Sequence, residues 1–535
     1  MAANKILINM EDIRYAGLTA FEQSYEWPIS DAEYCSFVDS VMVQFEEILS
    51  ACSRDILDVV ISDYRFLFFL VHHIHYGAAI SRFGFEKSDF HIGSGLGQFL
   101  RPNWSQLSVY FGKDNVDKGI FGNARANVAH KTFRKLRRTR DSVIYNKGKN
   151  PIGHLLSTET SWATIGPLID FQKAYLSAKT DFIRLDEWDH YKIEKFYQSS
   201  GFKQDLEANF LKPFISFVGD QSRRLGAAIN VDEVLSTWSC RMSALHKYYL
   251  GYRKCKMRPD NLVITGAGNS FRKIVGTAFQ REGTKVFVMH HGETSGVEKH
   301  PHGHRNDGSF SRYFVCPTVR ITEAFRKNYS SSLIEKSVDR KYMTVDTNHY
   351  ESLYERYRSQ KDNVSQRVVM LIGYGMNYAR YLDGGGYFYY FQLDLQYRLA
   401  KAINKLGYKL IFKSHPDRAK EVENLFHEVT DQVEVRPFEQ VWNSADIYVF
   451  TIPGTTVFGG ALLTKKPMIL IDIESNNWNY DSYDLLKKRC MMVSGKFDGK
   501  NKILFDESEL ESCLKNDSKI NDEFISEYYL ADIQT

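Results

Sequence analysis

Lys413-Ser414-His415-Pro416-Asp417 places a cation, a hydroxyl, an imidazole and a helix-starting proline in consecutive positions, directly after the apolar run Leu410-Ile411-Phe412. Gly454-Thr455-Thr456 offers hydroxyls and unhindered backbone N–H groups after a second apolar run, Ile447 to Thr451. A lysine, a protonated histidine and a helix N-terminus all favour an anion, and a phosphate leaving during group transfer is an anion whose charge must be stabilised as it grows. The competing reading is helix capping beside a solvated lysine.

Such groups need elements to hold them at one place. From Arg367 onward the chain alternates strand and helix: strand 367–372 ends in Gly373-Tyr374-Gly375, a helix carries Leu395, Leu399, Ala402, Ile403 and Leu406 at helical spacing, and strands follow at 409–412, 433–435, 447–451 and 468–471. Single helices between strands require crossovers, hence a parallel, doubly wound α/β sheet that binds ligands at the carboxyl ends of its strands. A similar unit precedes it, with strands predicted at 261–264, 285–289 and 313–316, a helix over 270–281, and strand exits Thr265-Gly266-Ala267-Gly268 and His290-His291-Gly292-Glu293. Residues 333–366 are charged and helical in pattern and read as a connection. The first 250 residues are rich in helical signals (37–48, 56–80, 204–215 and 231–250) and poor in strand signals.

The expected organisation is an α/β chain with two Rossmann-like domains facing a cleft and a helix-rich N-terminal part. Residues 1–335 are expected to form the first domain with helical insertions, 336–366 the connection, 367–510 the second domain, and 511–535 a tail that could return to the first domain. Within this frame the chain resembles GT-B glycosyltransferases of bacterial surface-polysaccharide synthesis, above all the capsule-type β-Kdo transferases. "KSHPD" resembles their H-P pair after a strand, "TIPGTTVFGGALLTKKPMILID" their Ser/Thr-rich turn, helix and A-L-L-x-x-K-P ending, and "VMHHGE" the H-G late in their first domain. The resemblance covers roughly residues 260 to 475. It implies an acceptor-side first domain and a nucleotide-sugar-binding second domain in which Lys413 and His415 meet the donor phosphate and Gly454, Thr455 and Thr456 present hydroxyls and backbone N–H groups to it. Gly373, Tyr374, Ser414 and Pro416 at the same strand exits complete the expected donor site, and His415 is also the expected catalytic group. His291 and Glu293, expected to face the interdomain cleft, are the other catalytic candidates, with Glu293 as candidate base for the acceptor hydroxyl. The helix after the Gly-Thr turn, Val457 to Ala461, lacks the glutamate with which many UDP-sugar enzymes hold the ribose, and this shifts the expected donor toward CMP- or CDP-linked sugars.

Other groups invite weaker readings. His300, His302 and His304 alternate in "GVEKHPHGH" and could chelate if extended, but match no standard zinc spacing. Asp472 and Glu474 mimic a metal-binding D-x-D at the end of a strand where that motif does not belong. His72, His73 and His75 lie with Asp63 and Arg65 in an apolar helical stretch and suit core residues better than ligands. The basic run 131–140 is a solvated helix face or a contact with an anionic membrane surface.

Composition narrows the function classes. A net charge of +4 over 535 residues disfavours a nucleic-acid binder, and seven scattered cysteines form neither a zinc pattern nor a disulfide framework. No apolar run is long enough to cross a bilayer, so a cytoplasmic protein is expected, with peripheral contact at the inner face of the bacterial inner membrane as an extension. The expected activity is metal-independent transfer of a CMP-activated ulosonic acid, such as Kdo or a sialic-type sugar, onto a glycan or lipid-linked glycan acceptor, with no cofactor. The rivals are a UDP-sugar or CDP-polyol transferase and a catalytically inactive binding or scaffold subunit.

Overall fold

Apolar strand runs and intervening amphipathic helices assemble into two separate sheets, the first parallel throughout and the second parallel but for one edge pair. The computed structural model describes residues 7, 10–84, 154–157, 167–168, 170–171, 175, 201–255, 258–265, 270–290, 297–299, 304–305, 308–345, 347, 349–359, 367–375, 385–415, 424–474, 476, 478–516 and 520–530. The first sheet holds β1 (His154–Ser157), β2 (Asn261–Ile264), β3 (Lys285–Met289), β4 (Tyr313–Cys316) and β5 (Lys341–Thr344), parallel and in chain order. The second contains β6 (Val368–Ile372), β7 (Lys409–Lys413), β8 (Gln432–Glu434), β9 (Ile447–Phe450), β10 (Met468–Ile473), β11 (Met491–Phe497) and β12 (Ile503–Phe505).

The second sheet runs in the order β12-β11-β10-β9-β6-β7-β8, and only the β11–β12 pair is antiparallel. The chain therefore starts in the middle at β6, moves outward through β7 and β8, then returns to the other flank of β6 and continues through β9 and β10. This doubly wound order reverses between β6 and β9, and ligands of such sheets bind outside the carboxyl ends of the strands at that reversal. Burial follows the same logic: all four residues of β9 are buried, as are the last four of β7, because helices cover both faces.

Several elements depart from the sequence reading. Residues 341–344, read as part of a charged helical connection, form β5 at the edge of the first sheet. Its residues are half-buried or exposed, so it carries no apolar signature. Strands β1, β11 and β12 and the helix Tyr480–Arg489 were not foreseen. The long helical signal over 56–80 breaks at Asp63 and Tyr64 into helices Arg54–Ser62 and Arg65–Phe83.

The N-terminal helices touch the second sheet's unit as well as the first. Trp27 packs at ring-centroid distances of 4.7 Å from Phe388 and 4.9 Å from Tyr390, and Phe21 meets Tyr390 edge-on at 4.9 Å. Backbone-directed bonds fasten this aromatic seam: Tyr25 donates its hydroxyl to the Asn501 carbonyl at 2.6 Å, and Asn501 donates its amide to the Trp27 carbonyl at 2.7 Å. At the other end of the chain, helix Glu523–Tyr528 follows the second sheet yet Thr318 of the first unit donates to the Tyr528 carbonyl at 2.7 Å. Among the described residues, no helix is long and apolar enough to cross a membrane.

Candidate functional site

Because β6 lies between β9 and β7, the exits Gly373–Gly375, Thr451–Thr456 and Lys413–His415 emerge side by side along one edge. The His415 ring rests on Gly375: a Cβ at that glycine would stand 3.0 Å from Nδ1 and 3.1 Å from Cε1. A side chain at this position would force the imidazole to give way by a few tenths of an ångström. His415 itself is half-buried, whereas Tyr374, Lys413 and Ser414 are buried.

The lysine and serine of this exit are committed to holding it. Lys413 Nζ donates to the Ser414 carbonyl at 2.6 Å, Ser414 Oγ donates to the His415 carbonyl at 3.3 Å, and Ser414 N donates to the Glu434 carbonyl at 2.9 Å. Burial pushes the Lys413 pKa down against the opposing pull of Glu434 and Glu439. Glu434 is in turn held by Arg436, whose Nε donates to Oε1 at 2.9 Å and keeps that carboxyl below its usual range.

At the β9 exit, Thr455 is the N-cap of helix Thr456–Leu462, its hydroxyl accepting from Phe458 N at 3.2 Å. The buried Arg489 holds the far end of this helix, donating to the carbonyls of Leu462, Thr464 and Lys466 at 3.0–3.2 Å. Thr456, one position inside the helix, is half-buried. Beneath the exit, Thr451 donates to Gln392 Oε1 at 2.6 Å and accepts from Gln396 Nε2 at 3.1 Å, and Gln392 donates onward to the Gly386 carbonyl. This buried polar chain ties the turn Gly385–Tyr387 to β9.

Tyr387 then bridges the two units. Its ring occupies the space beside Gly454, where a Cβ would approach the phenolic oxygen to 2.6 Å, and it meets Tyr374 edge-on at 5.9 Å. Its hydroxyl donates to the buried carboxylate of Glu298, which comes from the first unit. Glu298 pairs with Trp478 in an isolated antiparallel bridge, and Asn479 N donates to the Val297 carbonyl at 2.8 Å. Chain leaving the C-terminal end of β3 thus meets chain leaving the C-terminal end of β10, and residues of both units share this seam.

Gly373, Tyr374, Lys413, Ser414, His415, Gly454, Thr455 and Thr456 therefore lie along neighbouring exits of one sheet. His291, Glu293 and Pro416 fall outside the described residues, as do Gly266–Gly268, His300, His302 and the basic run 131–140. His304 is a core residue, stacked on Tyr329 at 4.3 Å with Nε2 3.3 Å from Glu335, itself bound to Arg340. Asp472 accepts from Trp478 Nε1 at 2.8 Å and from the Tyr483 hydroxyl, and Glu474 accepts from Phe497 N at 2.9 Å. Among the described residues no group of three or more His, Cys, Asp or Glu side chains gathers around a common point suited to a metal ion.

The N-terminal polar residues are likewise structural. His75 accepts from Trp27 Nε1 at 3.0 Å, and burial lowers the pKa of His73 to about 4 and of His75 to about 3. Asp63 is buried in a two-point ion pair with Arg241 and also accepts from Ser270. Tyr387 and Glu298 were not singled out from the sequence. The signals were the Gly384-Gly385-Gly386 run before Tyr387 and an acid inside an otherwise His- and Gly-rich loop.

No protein-family model matches the chain, and no curated protein matches it by sequence. Several solved structures resemble it in part, two of which are as follows. The UDP-GlcNAc 2-epimerase of Methanocaldococcus jannaschii, in complex with UDP-GlcNAc and UDP, is 14% identical over 69% of this chain and 94% of its own, with a TM-score of 0.37. Os79 from O. sativa, in complex with UDP and deoxynivalenol-3-glucoside, is 9% identical over 70% of this chain and 92% of its own, with a TM-score of 0.34. At these scores neither likeness bears on the site, and the α/β architecture rests on the two parallel sheets themselves.

Proposed function

We propose that the chain is a GT-B-type glycosyltransferase that takes its sugar from a nucleotide donor lying over the C-terminal edge of the second sheet. The observation that carries the reading is the reversal of strand order between β6 and β9, with the His415 imidazole laid on Gly375 beside it. In the proposed reaction the acceptor hydroxyl oxygen bonds to the anomeric carbon as the bond from that carbon to the nucleotide phosphate breaks. The phosphate leaves with the electron pair, and the acceptor proton passes to a base. His415 as an imidazolium and the backbone N–H groups at Thr456 would meet the departing charge. Lys413, Ser414 and Thr455 shape the exits that present them. Glu293, in the stretch running from β3 to Val297, is the proposed base.

The proposed donor is a CMP-linked ulosonic acid and the acceptor a bacterial surface glycan. Support comes from the likeness to β-Kdo transferases and from the absence of any acid in the helix Thr456–Leu462. A ligand bound only by the folded state raises its stability, by about 2.7 kcal/mol at a hundredfold excess over Kd. Thermal melting with CMP, CDP, UDP and GDP therefore tests both levels of the reading. Stabilisation by CMP or CDP is expected. A response to UDP alone would redirect the donor to a UDP-sugar, and no response to any of the four would sink the glycosyltransferase assignment.

A further inference from the structure

We infer that Asn476 reads the nucleoside half of the donor, a role that rests on the glycosyltransferase reading above. Asn476 follows β10, where its backbone is fixed on both sides: its N–H donates to the Ile473 carbonyl at 2.9 Å and its carbonyl accepts from Trp478 N at 3.0 Å. The side chain is fixed by nothing comparable. Both Nδ2 and Oδ1 are shielded from solvent, and neither has a hydrogen-bond partner among the described residues. Exchanging the two atoms by a flip of the amide changes nothing, since both positions lack a partner. Buried donors and acceptors are almost always paired because leaving them unpaired is costly, so an amide orphaned on both atoms is matched to something outside the chain.

Its place identifies the class of that partner. Oδ1 lies 3.4 Å from where a Cβ of Gly386 would stand, and the next residue, Tyr387, packs on Gly454 at the β9 exit. The carboxamide thus sits at the same strand edge as the proposed phosphate groups, one strand beyond β9. A neutral group presenting a donor next to an acceptor does not suit a phosphate, which offers acceptors only. It suits a donor–acceptor pair: N3 and the amino group of cytosine, N3–H and O4 of uracil, or adjacent ribose hydroxyls. It also supplies a polar contact to the nucleoside that the acid-free helix Thr456–Leu462 does not.

Calorimetric titration of the wild-type chain and of Asn476→Ala and Asn476→Asp with CMP, CDP, UDP and ribose 5-phosphate, alongside ligand-free melting, tests the assignment. Loss of a paired amide contact should weaken the preferred nucleotide tenfold or more in both variants, while the ligand-free melting temperature of Asn476→Ala stays level or rises because an unpaired group has been removed. Weakening confined to the nucleotides assigns the contact to the base, and equal weakening of ribose 5-phosphate assigns it to the hydroxyls. Wild-type binding that both variants retain at full strength overturns the role of Asn476 alone. So does a lower ligand-free melting temperature with unchanged affinity. A wild-type chain that binds none of these ligands overturns the role together with the reading beneath it.

Discussion

Tyr387 donates its hydroxyl hydrogen to Glu298 across 89 residues of sequence, and the same ring fills the space above Gly454. One side chain therefore connects a carboxylate of the first unit to the β9 exit of the second. Tyr387→Phe should leave the buried Glu298 carboxylate short of a donor and cost about 1.5–3 kcal/mol in denaturant unfolding. Gly454→Ala should expel the Tyr387 ring, since its new Cβ would stand 2.6 Å from the phenolic oxygen. Equal stability of wild type and Tyr387→Phe would mean that the contact between units carries no weight.

His415→Ala should act on the chemical step, lowering kcat by roughly 10²–10³ while the melting temperature barely moves. Gly375→Ala offers an independent check, because it leaves the imidazole's chemistry intact but forces the ring to shift by a few tenths of an ångström. Misplacement by about 1 Å typically costs on the order of 10²-fold, so this smaller shift should lower kcat by less than His415→Ala does. A His415→Ala enzyme that is destabilised yet fully active would reduce the histidine to a structural element.

Acid should loosen the aromatic seam. The folded-state values of His73 and His75, about 4 and about 3, lie below the ordinary histidine value of about 6.5, so between those limits the unfolded chain binds more protons than the folded one. Their contribution to stability is complete above the unfolded value and is lost as pH falls toward the folded values, at up to ~1.4 kcal/mol per pH unit for each group. His75 protonated on Nε2 can no longer accept from Trp27. The slope of stability against pH from 7 to 5 should be shallower in His75→Gln than in the wild type, and identical slopes would dismiss the titration.

Transfer activity should survive EDTA. The carboxylates that imitate a D-x-D pair already serve the fold, Asp472 bound by Trp478 and Tyr483 and Glu474 by the Phe497 amide. Abolition by EDTA with recovery on adding Mg²⁺ or Mn²⁺ would return a metal to the mechanism.

The strand exits were legible because each follows a short apolar run. β6, β7, β9 and β10 carry their burial in their composition, and "KSHPD" and "PGTT" stand where those runs end. β5 was not legible because an edge strand with half-exposed residues leaves no hydrophobic period. Sequence reasoning set both Lys413 and His415 at the donor phosphate and could not tell which of the two side chains the strand exit itself would engage. Both are cationic residues at the end of β7, and only the packed structure turns the lysine back onto its own strand exit while laying the imidazole over Gly375. Tyr387, Glu298 and Asn476 were hidden for a related reason, since their roles depend on contacts between distant segments that leave no local period.

The aromatic seam has a consequence for how the chain is made. Glu26 and Tyr390, which share a hydrogen bond there, are 364 residues apart. At roughly 5–20 residues per second, Trp27 and its neighbours leave the ribosome about 20–70 s before the helix that covers them. During that interval Trp27 can already meet His75 and Tyr76, but the faces that Phe388 and Tyr390 will cover stay open, and shielding them falls to transient contacts within the nascent chain or to a holding chaperone.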